Sequence, residues 1–122
     1  EGMTREEIQK RYPGLWQQRK KDPTMAAPPG GEPLVVMQRR VMASVQEIAQ
    51  RHLGQTVLVC THAGPIRAAL CGLLGIDLRR SWQFRTDNAS LTVVAITEEG
   101  AVIEAFNDTR HLSGSYPDSL VP

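Results

Sequence analysis

Cysteine is scarce in this chain: 122 residues hold two, Cys60 and Cys71. Two cysteines cannot form the several bridges that hold small secreted domains together. Cys60 closes an apolar run and Cys71 falls inside a helical pattern, so both are expected as buried, reduced thiols. A cytoplasmic address follows from that expectation. Excess charge is missing too: fourteen Lys and Arg stand against thirteen Asp and Glu, a formal net charge of +1. Proteins dedicated to nucleic acid or to a membrane surface normally carry a larger basic surplus, so neither partner is expected. No apolar run approaches the length of a membrane-spanning helix. The stretch 1–11 is charged and has no apolar centre of the kind a secretory signal needs. There are no internal repeats. The chain opens on Glu1-Gly2 with no initiator methionine and reads like a sequence joined partway through.

What is present is an ordinary globular composition, 41% apolar with ten glycines, in a length suited to one domain. Thr4-Arg5-Glu6-Glu7 fits a capping box, which predicts a short helix from Arg5 to Arg11 that Pro13-Gly14 stops. Residues 22–33 hold four of the eight prolines and Gly30-Gly31, a surface loop or lid. Leu34, Met37, Val41, Val45, Ile48 and His52 recur at spacings of three and four, one face of a helix from Leu34 to Leu53 that Gly54 terminates. On this count His52 belongs to the core-facing stripe.

Thr56-Val57-Leu58-Val59-Cys60-Thr61 does not alternate with polar residues and predicts a strand covered on both faces. Pro65 suits the first position of a second helix, which carries Ile66, Leu70, Leu73 and Leu74 before Gly75. Leu91–Ile96 and Ala101–Phe106 flank Glu98-Glu99-Gly100 as a hairpin. The Ser/Pro-rich stretch 113–122 is expected as a poorly ordered tail. A buried strand between helices implies an α/β fold with helices on both faces of the sheet. Three strands make a thin sheet for that architecture, so a sheet partner is missing.

The segment Val57-Leu-Val-Cys-Thr-His62-Ala-Gly-Pro-Ile-Arg67 delivers a histidine to a strand's carboxyl end, with a helix starting directly after it. Ligands of open α/β sheets bind in that crevice. The helix start offers unpaired amides and the positive end of a dipole. His62 adds a proton donor near neutral pH, and Ala63 and Gly64 allow close backbone approach. A phosphate or carboxylate pocket is one reading of this turn. A histidine that merely caps a strand end by hydrogen bonding is the other.

This segment resembles the second histidine motif of the histidine phosphatase superfamily, in its phosphoglycerate-mutase-like branch. Other stretches resemble the family in the same order: Glu1-Gly2-Met3-Thr4 with Glu6-Glu7-Ile8 and Tyr12-Pro13; Gly31-Glu32-Pro33-Leu34 with Arg40-Val41; Asn88-Ala89-Ser90-Leu91-Thr92; Asn107-Asp108 with His111-Leu112. The resemblance covers residues 1 to about 112 and implies a three-layer α/β/α domain with a mostly parallel sheet. It makes this chain the C-terminal portion of one such domain, its N-terminal strand absent. It also implies hydrolysis of phosphomonoesters of small metabolites through a phosphohistidine. His62 would be the catalytic second histidine, holding the phosphoryl oxygens with the Ala63 amide. No cofactor or metal is implied, because arginines and histidines neutralise the phosphate.

The departures from the family pattern carry equal weight. The family's nucleophile lies in Arg-His-Gly, yet here Arg51-His52 precedes Leu53 and Arg110-His111 precedes Leu112. Its acid glutamate and a further phosphate-binding arginine would precede Glu1. Pro33 replaces a serine and Ala63 a glycine. The chain alone is therefore expected to be inactive, and to need its own N-terminal half or a second copy as partner. A non-catalytic phosphate-binding remnant and a mutase of the phosphoglycerate type stay open as alternatives.

Other candidates are weaker. His52, His62 and His111 with Asp87 and Asp108 show no metal-ligand spacing. Within the resemblance His111 takes a structural place. Lys10, Arg11, Arg19, Lys20 and Lys21 suit a solvated face, or else meet the non-reacting end of an anionic substrate. Trp16 and Trp82 are expected to pack.

Overall fold

A computed structural model of the chain describes residues 2–112. The poorly ordered tail expected at 113–122 lies outside the described residues. The chain divides into two compact units, Glu1–Phe84 and Arg85–Pro122.

The first unit begins with α1 (Arg5–Arg11), and the expected capping box is present. The Glu7 amide donates to Thr4 Oγ1 at 3.2 Å, and the Thr4 amide donates to the Glu7 carboxylate at 2.6 Å. Two orphan donors of the helix start are thereby satisfied. Pro13-Gly14 ends α1, but it also opens a second helix, α2 (Pro13–Lys21), which the sequence reading did not foresee. Proline at the first helical position loses no hydrogen bond there, so one dipeptide both stops and starts. Arg19, Lys20 and Lys21 form the last turn of α2, where positive charge meets the negative end of the helix dipole. All five residues of the basic stretch are exposed. The Arg5 guanidinium lies over the Trp16 ring, 5.0 Å from its centre.

Residues 22–33 form the expected loop. Asp22 accepts from the Thr24 amide and hydroxyl at 3.0 and 2.6 Å, and the Val35 amide donates to the Thr24 carbonyl at 3.1 Å. That last bond ties the loop to the start of α3 (Leu34–Arg51). The expected apolar stripe Leu34, Met37, Val41, Val45 and Ile48 is half-buried, while Arg39, Arg40 and Glu47 face solvent. His52 does not belong to it. The helix ends at Arg51, and His52 is its exposed C-terminal cap, with Nδ1 2.9 Å from Gln55 Oε1. Gly54 adopts φ +70°, the left-handed geometry expected of the stop.

The stretch 56–61 is not a strand. It has no ladder partner among the described residues, and all six side chains are exposed, Leu58 by 79%. Cys60 is exposed with them, against the expectation that it is buried. A run apolar on both faces becomes a strand only when neighbours take up its amides and carbonyls, and none among the described residues does so.

Helix α4 (Ala63–Leu74) follows and ends at Gly75, φ +66°, with the Ile76 amide donating to the Cys71 carbonyl at 2.9 Å. Three small residues, Gly64, Ala68 and Gly72, recur every fourth position on α4 and face α3. A Cβ at Gly64 would lie 3.5 Å from Met37 Cε, and one at Gly72 only 2.6 Å from Met42 Sδ. Between them Gln38 Nε2 donates to the Ala68 carbonyl at 3.1 Å. The contacts advance in the same direction along both helices. Ala68, Cys71 and Leu78 form the buried cluster, with Leu34, Val35, Met37, Ile76 and Phe84 packed around it. Leu78 opens a 3-10 helix, Leu78–Gln83, capped by Asp77, whose carboxylate accepts from the Arg79 amide at 2.9 Å. Trp82 on this short helix is 70% exposed, so it does not pack as expected.

The second unit is the expected hairpin. Strands β1 (Leu91–Thr97) and β2 (Gly100–Asp108) pair antiparallel around Glu98-Glu99, with Thr97 opposite Gly100. Among the described residues this is the sheet, two antiparallel strands and no parallel pair. The chain is thus α/β, with the parallel sheet of the expected three-layer fold not formed within the described residues.

Candidate functional site

The extended stretch 56–61 leads straight into His62, which keeps extended geometry (φ −126°, ψ 166°) as the residue before α4. Its carbonyl accepts from the Ile66 amide at 3.2 Å and closes the first helical turn. Its ring is exposed and makes no capping bond to the helix it precedes. The ring is therefore not spent on capping α4.

Pro65 occupies the third helical position rather than the expected first, because α4 starts at Ala63. Proline has no N–H to lose in the first turn, so the shift costs nothing. It leaves two amides, Ala63 and Gly64, with no acceptor among the described residues. Both point out of a helix start, beside a titratable ring and at the positive end of a twelve-residue helix. Chemically, this turn can give two backbone donors and one imidazole donor to an oxyanion.

Arg67 follows within the first turn and a half. It is half-buried, and its Nε is shut away from solvent without an acceptor among the described residues. Cys71, deeper in α4, is buried, and that burial pushes its thiol above the usual range. Within the first unit His52 is not brought to the turn. His52 sits at the end of α3. His111, in the second unit, lies with Nε2 2.8 Å from the Ala89 carbonyl, a structural contact. No group of three or more His, Cys, Asp or Glu side chains that could hold a metal occurs among the described residues.

Besides α2, two features of the molecule went unread in the sequence. The Gly64-Ala68-Gly72 spacing was visible and signals close helix approach. The pairing of Asp87 with Asn107, twenty residues apart, had no local signal at all.

Residues 1–109 match the histidine phosphatase superfamily (branch 1). The chain belongs to that family. It is 38% identical over 118 residues to phosphoserine phosphatase 1 of Hydrogenobacter thermophilus, covering 97% of this chain and 56% of that protein. It is 33% identical over 86 residues to a metal-independent phosphoserine phosphatase of Arabidopsis thaliana, covering 70% of this chain and 34% of the relative. Among solved structures it is similar to Bacillus stearothermophilus YhfR, with a TM-score of 0.80 and 26% identity over 92% of this chain and 56% of that one. The chain thus spans between about a third and a little over half of the length of these relatives. No described helix is long and apolar enough to cross a membrane.

Proposed function

We propose that this chain is the C-terminal portion of a single histidine phosphatase domain, residues 1–112, which hydrolyses phosphomonoesters of small metabolites through a phosphohistidine. His62 is the second histidine of the site. It donates to the transferring phosphoryl oxygens, and the Ala63 amide holds the same group as charge develops on it. The nucleophilic histidine, the acid glutamate and a further phosphate-binding arginine belong to an N-terminal half of the domain. The strand that half supplies pairs with 56–61 and completes a mostly parallel, three-layer fold. Neither metal nor other cofactor takes part, since the imidazoles, arginines and amides carry the positive charge the phosphate needs. The protein works in the cytoplasm, binding neither nucleic acid nor membrane.

The observation that carries the reading is the exposed His62 ring beside two acceptor-free amides at a helix start. The relatives' names support a phosphoester substrate, and phosphoserine is the substrate class two of them suggest.

The test is turnover of p-nitrophenyl phosphate by the purified chain, alone and mixed with a fragment carrying the N-terminal half of a close relative. Turnover is expected from the mixture and from neither part. Hydrolysis by the chain alone, lost in His52→Ala, would mean that a complete enzyme has been read as a partial one.

A further inference from the structure

In the seam between α3 and α4 a polar contact lies between two apolar ones. Met37 sits against Gly64, and Met42 against Gly72. Between them the Gln38 amide donates to the Ala68 carbonyl across thirty positions of sequence. Ala68 is fully buried and lies in the middle of α4, where the helix ladder already provides a donor for its carbonyl. The bond is therefore not needed to satisfy the backbone. What it does is fix position.

Small residues at every fourth place make α4 smooth on this face, and a smooth face can slide. Van der Waals contacts with two flexible methionines resist axial displacement weakly, because a methionine follows its neighbour by changing rotamer. A directional bond of 3.1 Å resists it strongly. One turn along the helix from Ala68 stands Gly64, whose amide is one of the two that face outward at the start of α4.

We infer that Gln38 is a positioning residue for the phosphate-binding turn: it sets the axial register of α4 on α3 and thereby the placement of the Ala63 and Gly64 amides. The inference rests on the proposal that this turn binds phosphate. Gln38 touches no substrate. It acts through α4.

The experiment is a titration of the chain with inorganic phosphate, followed by amide and imidazole NMR signals, in wild type and in Gln38→Met. Methionine keeps the length and removes the donor. Wild type is expected to show saturable shifts at Ala63, Gly64 and the His62 ring. In Gln38→Met the apparent Kd should rise about three- to tenfold, the size of one misplaced hydrogen bond. Before phosphate is added, the variant's amide shifts should differ from wild type along α4 from Ala63 to Gly72, with the hairpin signals unmoved. Thermal stability should change little, since no buried group loses its last partner.

An unchanged Kd in the folded variant would overturn the role of Gln38 and leave the phosphate site standing. Absence of any phosphate shift at residues 62–64 in wild type would overturn the site itself, and the inference with it. Gln38→Glu provides a second check, because a carboxylate cannot donate to the Ala68 carbonyl at neutral pH. It should weaken phosphate binding at least as much as methionine does. Retained affinity in that variant would also count against the role.

Discussion

Asp87 and Asn107 hold each other by two hydrogen bonds: the Asp87 amide donates to Asn107 Oδ1 at 2.8 Å, and Asn107 Nδ2 donates to Asp87 Oδ2 at 2.6 Å. Asn107 does this from a left-handed backbone, φ +49°, and its own amide donates to Thr92 Oγ1 at 3.2 Å. Arg85 adds an ion pair to Asp87 at 3.1 Å. The pairing clasps the open end of the hairpin where β1 departs from regular register between Leu91 and Val94. Asparagine suits the position twice over, since it tolerates positive φ and carries both a donor and an acceptor.

Asn107→Ala should therefore loosen the hairpin's open end. Losing two side-chain bonds and placing alanine at positive φ should cost about 2–3 kcal/mol of local stability. Asn107→Gly removes the same bonds but relieves the backbone, and should cost about 1 kcal/mol less than alanine. Amide hydrogen exchange reads this directly. Leu91 and Val93 should exchange faster in both variants, and equal rates in the two would show that the left-handed backbone contributes nothing.

Gly72→Ala tests the helix seam. Alanine is the better helix former by about 1 kcal/mol. Its Cβ, however, would stand 2.6 Å from Met42 Sδ and 2.9 Å from Met42 Cγ, so the methionine must move. Gly72 is exposed and a methionine can change rotamer, so that move cancels part or all of the propensity gain and the net effect is small. In Met42→Ala the obstacle is gone, and adding Gly72→Ala should then stabilise. The two changes form a double-mutant cycle in urea unfolding, and simple additivity would show that the helices do not approach as closely as described.

Asp77 should titrate unusually low. The Arg79 guanidinium bonds its carboxylate, with a contact of 2.6 Å, and the Arg79 amide bonds it as well. Together they hold its pKa at about 2. A carboxyl whose folded pKa lies below its unfolded value stabilises the fold above the unfolded pKa and loses that contribution as pH falls through the folded one. For Asp77 the window runs from about pH 4 down to about pH 2. Arg79→Ala should raise the midpoint of the Asp77 carboxyl signal yet leave it below the ordinary value, because the amide bond survives. A midpoint unmoved by the substitution would assign the shift to the backbone alone.

Loss of the His62 ring should slow catalysis and spare the fold. In the complete domain His62→Ala should reduce kcat for a phosphomonoester about 10²–10³-fold, the usual effect of removing one donor to the transition state. The ring is exposed and makes no capping bond, so melting temperature should hold. Undiminished turnover by the folded variant would remove His62 from the site.

How much of this was legible depended on whether a segment's partners are local. The stripe of α3, the capping box at Thr4 and the hairpin turn at Glu98-Glu99 each declare themselves within a few residues, and each is present. Pro13-Gly14 was legible as a stop but equally encodes the start of α2. His52 fits the period of α3 yet lies one residue past its end, where period no longer determines burial. Cys60 and its neighbours were misread for a different reason. Apolar residues on both faces state what a strand would bury in a sheet, but pairing comes from chain that is distant in sequence. The turn at His62 was readable as a helix start after an extended run. Its unpaired amides were readable too, but that Ala63 and Gly64 carry them was not, because it depends on Pro65 standing third rather than first.

That distant partner sets the last prediction. Val57, Leu58 and Val59 are exposed by 42%, 79% and 56%, and no amide of 56–61 donates to an acceptor among the described residues. An extended run of this kind offers two open edges to any strand that can pair with it. In the chain alone, the amides of Val57 to Thr61 should exchange with solvent at nearly unprotected rates, while those of Leu70 and Cys71, inside α4, are protected. Adding a fragment with the N-terminal half should slow exchange at 57–61 by several orders of magnitude, together with the appearance of phosphatase turnover. Leu58→Asp separates this docking from simple stickiness. In the chain alone it should leave α4 protection intact and reduce aggregation, since the side chain already faces water. With the fragment present it should prevent both the protection and the turnover, because the charge would have to be buried on a sheet face. Protection at 57–61 in the chain alone, dependent on protein concentration, would instead identify a second copy as the strand's partner.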